Sequence, residues 1–335
     1  FDTDMTVYHD GFNQLEPAFD VHATRGCPYR CNFCVWVQVL YDGGRHRRRN
    51  VDDIIDEMIE LRDTYGAREI YFDDDNFTAH RGFVKEFCAA LKRRQVDIPW
   101  SALADAIALN DGLLEIMADA GCIGVKFGLD SADAAVLRAT EKPLKVSNIG
   151  PLVEAARRLG VKTHMTMVVG LKGETIESLE RTFRFACDLD IDSIQISMAT
   201  PVPGTRFYDE VKADGSLVLT SWDQLDGYST AVLDYEHLSQ ARLEQFMRDV
   251  QGRWLRARLR HPRWVLRQVR YLFRLGGASG IRGMIARVRR GVQVATGDTQ
   301  VVLTDPPLGA TSESGGSTVE GLTIGKVERD RTLRY

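Results

Sequence analysis

The sequence predicts an α/β fold: an open, partial (β/α)6 TIM-like barrel with a mainly helical C-terminal extension. Three observations carry this. Between residues 21 and 199, short β-branched or aromatic runs alternate with amphipathic stretches of helix length, the pattern of βα units and a parallel sheet. Six such strands can be counted, too few to close an eight-unit barrel. Clustered thiols, carboxylates and glycines fall just after these strands, where parallel sheets carry their chemistry.

The elements follow in order. Residues 1–20 are polar and weakly periodic and read as a linker or N-terminal extension. A strand is expected at 21–25, running into three cysteines. Residues 35–40 are apolar, and Arg45-His46-Arg47-Arg48-Arg49 is a basic knot, either a solvated loop or a cradle for phosphate or carboxylate. Helix 51–65 opens with Asn50 as N-cap and places Ile54, Ile55, Met58 and Leu61 at helical spacing. Strand 68–72 ends at Asp73-Asp74-Asp75-Asn76. Helix 80–95, which Asn76 or Thr78 could cap, leads to strand 99–105. Helix 110–120 leads to strand 123–130, helix 147–159 to strand 161–169, and helix 174–187 to strand 192–199. Residues 21–204 are thus the barrel. Residues 205–250 form a cap with Trp222, Tyr228 and Tyr235 near its opening. Residues 251–298 are a basic amphipathic helical segment, and 299–335, rich in Gly, Ser and Thr, a flexible tail.

Strand alternation gives a second argument. A strand covered by helices should be apolar on both faces. Here Lys126, Gly128 and Asp130 share one face of their strand, His164 and Thr166 of the next, and Gln195 and Ser197 of the last. Polar residues on one face of three successive strands predict a lined cavity. His164, Lys126 and Gln195 are its candidate catalytic residues, though a lone histidine can equally be a satisfied core residue.

The densest chemistry is Cys27-x3-Cys31-x2-Cys34 within Thr24-Arg25-Gly26-Cys27-Pro28-Tyr29-Arg30-Cys31-Asn32-Phe33-Cys34. A loop this short can turn three sulfurs toward one point. Structural zinc takes four ligands in two pairs, and no second pair exists. A cubane also normally takes four cysteines. With three, one iron keeps an open position that can bind substrate. The plain alternative is three buried or redox thiols.

These residues resemble the signature of the radical S-adenosylmethionine (SAM) superfamily. The resemblance implies that Cys27, Cys31 and Cys34 hold a 4Fe–4S cluster and that Phe33 is the aromatic before the last ligand. It implies a six-unit barrel with a side opening, SAM chelated at the open iron, and reductive cleavage to a 5′-deoxyadenosyl radical. An aspartate of the triplet, Asp73 or Asp74, would meet the methionyl ammonium where the family has Gly-Gly-Glu. Gly128-Leu129-Asp130-Ser131-Ala132 resembles the ribose-side Gly-x-Glu-Ser-Gly segment, placing Asp130 and Ser131 on SAM. Gly170-Leu171-Lys172-Gly173-Glu174-Thr175 resembles Gly-Leu-Pro-Gly-Glu-Thr, adding Gly170, Gly173 and Glu174. Ser197 completes the cofactor contacts. With Pro201-Val202-Pro203-Gly204-Thr205, these segments are most similar to the cobalamin-binding-domain radical SAM proteins, and among them the hopanoid- and lipid-associated members. Too few residues precede the cysteines to form a cobalamin domain, so either cobalamin comes through a domain upstream in a longer protein or this is a relative that lost that domain.

Composition bounds the rest. The chain is 44% hydrophobic, ample for a core. Its six cysteines, three of them clustered, do not form a secreted disulfide framework; Cys88, Cys122 and Cys187 read as buried thiols. No run reaches the ~20 apolar residues of a membrane span. The net charge of −4 hides residues 253–290, where twelve arginines stand with no acid. That points to an anionic membrane surface as partner, with Arg263, Arg267, Arg270 and Arg274 forming one helical stripe. The expected function is radical methylation or rearrangement at an unactivated carbon of a lipid-like or polyprenyl-like substrate. It needs an external electron donor and a cytoplasmic setting, peripheral at the inner face of the membrane. The rivals are an RNA-modifying enzyme, against which no RNA-binding module is visible, and a non-catalytic, membrane-associated iron–sulfur scaffold.

Overall fold

The structure, a computed structural model, describes residues 12–41 and 43–274, with the backbone alone for 272–274. Its centre is a parallel six-stranded sheet of β1 (Ala18–Val21), β4 (Glu69–Phe72), β5 (Trp100–Leu103), β6 (Cys122–Asp130), β7 (Lys162–Val169) and β8 (Ser193–Met198), in that order. Strands adjacent in this series are adjacent in the sheet. Two further strands, β2 (Thr24–Arg25) and β3 (Arg47–Arg48), form a separate antiparallel ribbon.

The crossovers are α1 (Val51–Tyr65), α2 (Arg81–Arg93), α3 (Asp111–Asp119), α4 (Ala134–Ala139) with α5 (Ile149–Leu159), and α6 (Ile176–Asp188). Asn50 caps α1 as expected, its side chain accepting from the Asp52 amide at 2.8 Å. Gly66 ends that helix at φ +71°, a left-handed turn that costs glycine little. The cap of α2 is neither Asn76 nor Thr78 but His80, whose ring accepts from the Phe83 amide at 3.0 Å.

The first strand differs from expectation. It ends at Val21, and residues 24–25 leave the sheet. The cause is Asp74, whose buried carboxylate takes the amides of Ala23 and Thr24 at 2.8 and 2.9 Å. Residues 12–20, expected to be a linker, are instead part of the body. Phe12 is 1% exposed and sits at the barrel floor, 5.6 Å from the Tyr71 ring and 5.8 Å from His164. Lys162 donates to its carbonyl at 2.8 Å, and the buried Glu69 takes the amides of Gln14 and Leu15. Apolar character at Phe12 and Phe19, diluted by polar neighbours, was the signal.

After β8 come α7 (Arg206–Ala213), α8 (Gln240–Leu259) and α9 (Pro262–Arg274). The arginine stripe of α9 does not stand free. Trp264 is buried and donates to the carbonyls of Ile191 and Asp192, each at 3.1 Å. Arg267 binds Asp192 at 3.0 Å and Asp190 at 2.6 Å. The helix therefore packs on the body through part of its basic face. The remaining arginines of the basic segment, from Arg274 on, and the expected tail lie outside the described side chains. Among the described residues no helix is long and apolar enough to cross a membrane.

Candidate active site at the cysteine loop

The cysteine loop lies at the C-terminal end of the sheet, beyond β1 and β2. Gly26 opens it at φ +90°, and a Cβ there would meet the Arg45 carbonyl oxygen at 2.3 Å. Its amide donates to Asp75 at 2.6 Å. Gln38 grips the loop from behind: its amide nitrogen donates to the carbonyls of Cys31, Asn32 and Cys34 at 3.1, 2.9 and 3.0 Å. The Gln38 oxygen in turn accepts from the Arg206 amide at 2.9 Å. Asn32 is buried, donates its amide to the Thr140 carbonyl at 3.0 Å, and accepts from the Phe207 amide at 3.1 Å. Asn76 donates to the Cys27 sulfur at 3.6 Å. Gln38, Asn32 and Asn76 were not singled out as site residues in the sequence, because single amide side chains carry no pattern.

Three partly buried thiols on one loop lie close enough to act on one another. Burial pushes each one up, Cys31 to about 12 despite the nearby Lys142 charge, so without a bound metal they stay protonated. A bound metal reverses that and makes thiolate ligands. Among the described residues no three His, Cys, Asp or Glu side chains converge on a single ion. Cubane ligands each take a different iron, so they stand wider apart than the donors of one ion. The donor set fits a cluster and not a lone structural zinc.

The aspartate triplet diverges. Asp73 is exposed on the outer side. Asp74 is spent on Ala23 and on both the amide and hydroxyl of Thr24, and burial raises it to about 6. Asp75 holds Gly26. Backbone and hydroxyl donors compensate the buried Asp74 carboxylate, which leaves the exposed Asp73 as the member of the triplet open to a ligand. Asp130, at φ +59° where β6 shifts register, forms an ion pair with Lys142, which also donates to the Gly128 carbonyl at 2.9 Å. The Lys142 charge acts on Cys31, placing this pair beside the thiols. Lys142 was not read from the sequence. Ser131 is fully buried within a turn, 3.4 Å from Thr182. Glu174 is fully buried too; it takes the amides of Gly170 and Leu171 at 2.7 and 3.1 Å, and burial raises it to about 8. Gly170 and Gly173 both adopt positive φ, at +87° and +83°. Phe33 packs against the core.

The polar strand positions lie in register and half-buried on one face of three neighbouring strands. Lys126 pairs in register with His164, and His164 with Ser193; Gly128 pairs with Thr166, and Thr166 with Gln195. Depth separates them. His164 lies near the start of β7, bonds Ser193 at 2.8 Å and packs on Phe12 at the floor. Five residues at ~3.3 Å each separate it from the strand end, which removes it from the cysteines. Gln195 donates to Tyr228 of the cap at 2.8 Å, and Ser197 follows it on the same face. Tyr235 reaches the Gly170 carbonyl at 3.1 Å, so the cap is fixed to the strand ends.

Comparison with known proteins agrees with this geometry. Residues 21–186 match the profile of the Radical SAM superfamily. An uncharacterized methyltransferase of Pyrococcus horikoshii is 31% identical over 68% of this chain and 49% of its own length. The cytidylyl-2-hydroxyethylphosphonate methyltransferase of Streptomyces wedmorensis is 29% identical over 63% of this chain and 41% of its own. The chain therefore spans about half the length of these relatives. Among solved structures, the radical SAM methyltransferase TsrM of Kitasatospora setae, with cobalamin and a [4Fe-4S] cluster bound, superposes with a TM-score of 0.54. It is 23% identical and covers 61% of this chain and 38% of its own. The parallel six-stranded sheet, the cysteine loop at its C-terminal end and the profile match identify residues 21–186 as a radical SAM domain, a member of the radical SAM superfamily.

Proposed function

We propose that this chain is the catalytic part of a methyltransferase that works by SAM radical chemistry at an unactivated carbon. The observation that carries it is the set of three thiols on one loop, held by Gln38, with polar side chains in register on one face of three neighbouring strands. When bound, a 4Fe–4S cluster with SAM supplies reductive cleavage to a 5′-deoxyadenosyl radical. The chain's own residues do the rest. Cys27, Cys31 and Cys34 hold the cluster, and Asn76 donates to the Cys27 sulfur. Lys142 offers its ammonium to a carboxylate, and Asp130 keeps it aimed. Glu174 sets the turn at Gly170 that ends β7. Lys126, Thr166, Gln195 and Ser197 line the substrate's path, with Tyr228 at its edge. Cobalamin has no residue assigned among these and would be held by an upstream domain.

The test is anaerobic reconstitution followed by iron counting and assay for 5′-deoxyadenosine. About four irons per chain are expected. Cys27→Ala, Cys31→Ala or Cys34→Ala should each remove most of the iron and all cleavage, while Cys88→Ala, Cys122→Ala and Cys187→Ala retain both. Loss of iron in a folded member of the second group would overturn the ligand assignment.

A lipid-like substrate is favoured by one observation. On α9, Leu266 and Val269 are 64% and 40% exposed, and Arg263 and Arg270 stand exposed beside them. Such a face suits an anionic membrane surface. Sedimentation with anionic vesicles should carry down the wild type and not Leu266→Glu/Val269→Glu; equal pelleting of both would remove this reading.

A further inference from the structure

The basic knot is strapped onto the cysteine loop. Arg25 pairs with Arg47, and Thr24 with Arg48, in the β2–β3 ribbon. The Arg45 carbonyl sits against Gly26, and a Cβ on Gly44 would meet the carbonyl oxygens of Pro28 and Cys27 at 3.3 and 3.4 Å. His46 reaches the Asn76 carbonyl at 3.2 Å, and Asn76 donates to the Cys27 sulfur. The strap is thus the outer layer of protein directly over the first ligand.

Its charges are unspent. Arg49 pairs with Glu57 at 2.6 Å. Among the described residues Arg25, Arg45, Arg47 and Arg48 have no ion pair, and the last three are exposed. Arg25, Arg47 and Arg48 line, with His22 and Glu57, an open groove of about 430 Å³. The strap continues into an apolar patch. The Arg47 guanidinium lies over the Tyr41 ring at 5.5 Å, and Tyr41 stacks on Trp36 at 6.2 Å. Trp36, Val39 and Leu40 are 46%, 45% and 55% exposed. Unpaired cations around exposed apolar side chains make a docking face for an acidic partner.

We propose that this face docks a small acidic protein that carries one electron. The proposal rests on the radical SAM reading, since that chemistry takes an electron from outside and the strap lies against the Cys27 backbone. The balance is simple: the carrier is oxidised by one electron, the metal group on the three cysteines is reduced by one, and no bond or proton changes hands. Four like charges beside the loop steer the carrier in, and Trp36 and Leu40 give it apolar area to close on.

The test uses reconstituted protein and a bacterial flavodoxin as the acidic probe. Calorimetric titration with the oxidised flavodoxin should give binding that weakens from 50 to 300 mM salt. In R45E/R47E/R48E it should fall by about tenfold or more. Stopped-flow bleaching of the cluster by reduced flavodoxin should slow in parallel, and bleaching by dithionite should not change. Arg184→Glu, exposed on α6 at the opposite edge of the sheet, is the charge control. R45Q/R47Q/R48Q is the milder variant if the triple glutamate chain loses iron. Equal flavodoxin affinity in wild type and either triple variant would overturn the docking face. So would tighter retention of RNA than of flavodoxin that the substitutions abolish. A wild type that binds no iron, or that dithionite does not reduce, would instead overturn the functional reading beneath it.

Discussion

Glu174 keeps one carboxyl oxygen on the amides of Gly170 and Leu171 and leaves the other buried with no partner. Burial dominates and raises its pKa from 4.5 to about 8, while the two amides pull it down. The folded protein therefore keeps a proton that the unfolded chain releases. Stability falls as pH rises through that window, by up to about 1.4 kcal/mol per pH unit. Asp74, raised to about 6, acts the same way but only below that pH. Thermal unfolding from pH 6.5 to 8.5 should thus fall for the wild type and stay nearly flat for Glu174→Gln, whose amide mimics the protonated acid. A wild type with no such slope would contradict the buried neutral acid. At this scale the thiols were legible because three cysteines at fixed spacing have few other uses. The aspartates were legible as a cluster but not in role: which carboxylate meets a backbone amide depends on residues about fifty positions away, as Asp74 with Thr24 shows. Gln38 and Lys142 left no trace, since their partners Arg206 and Asp130 become neighbours only on folding.

The crossover helices α1, α2, α3, α5 and α6 were legible to within about two residues, because their caps and apolar stripes are local, while the short α4 and α7 were not read. Which face of α9 turns inward was not legible either. Its four arginines looked equivalent until Asp190 and Asp192 claimed Arg267. Asp192 is 5% exposed and also takes the Thr163 amide at 2.9 Å. Arg267→Ala leaves that buried carboxylate short of its cation and should cost about 1–3 kcal/mol in chemical denaturation. Arg263→Ala and Arg270→Ala, on the exposed side, should stay within about 0.5 kcal/mol of wild type. Trp264→Ala should cost more, on the order of 3–5 kcal/mol, through the cavity it leaves. Equal effects from all three arginines would mean that the helix is not docked as described.

Across the whole molecule, the sheet order follows the chain order, and that is why the fold class could be read from alternation alone. What alternation could not show was the depth of each polar residue or what closes the floor. His164 shares the polar strand face as expected, yet lies beneath the chemistry with Phe12 against it. Phe12 contacts β4, β6 and β7 together, through Tyr71, Gly124 and Lys162. Phe12→Ala should therefore destabilise the barrel by about 3–5 kcal/mol while leaving the cysteine loop and its iron content intact below the melting transition. Loss of iron at temperatures where the variant is folded would show that floor and mouth are coupled.

The clamp on the cysteine loop has a consequence in time. The loop is made early in synthesis, but Arg206 and Phe207, which bond Gln38 and Asn32, emerge only after the last strand of the sheet. A nascent chain stalled just after β8 would have all six strands but a loop lacking its last two anchors, Arg206 and Phe207. The metal site is thus completed only after the sheet, and iron delivered before residue 207 leaves the ribosome would meet an unfinished cradle.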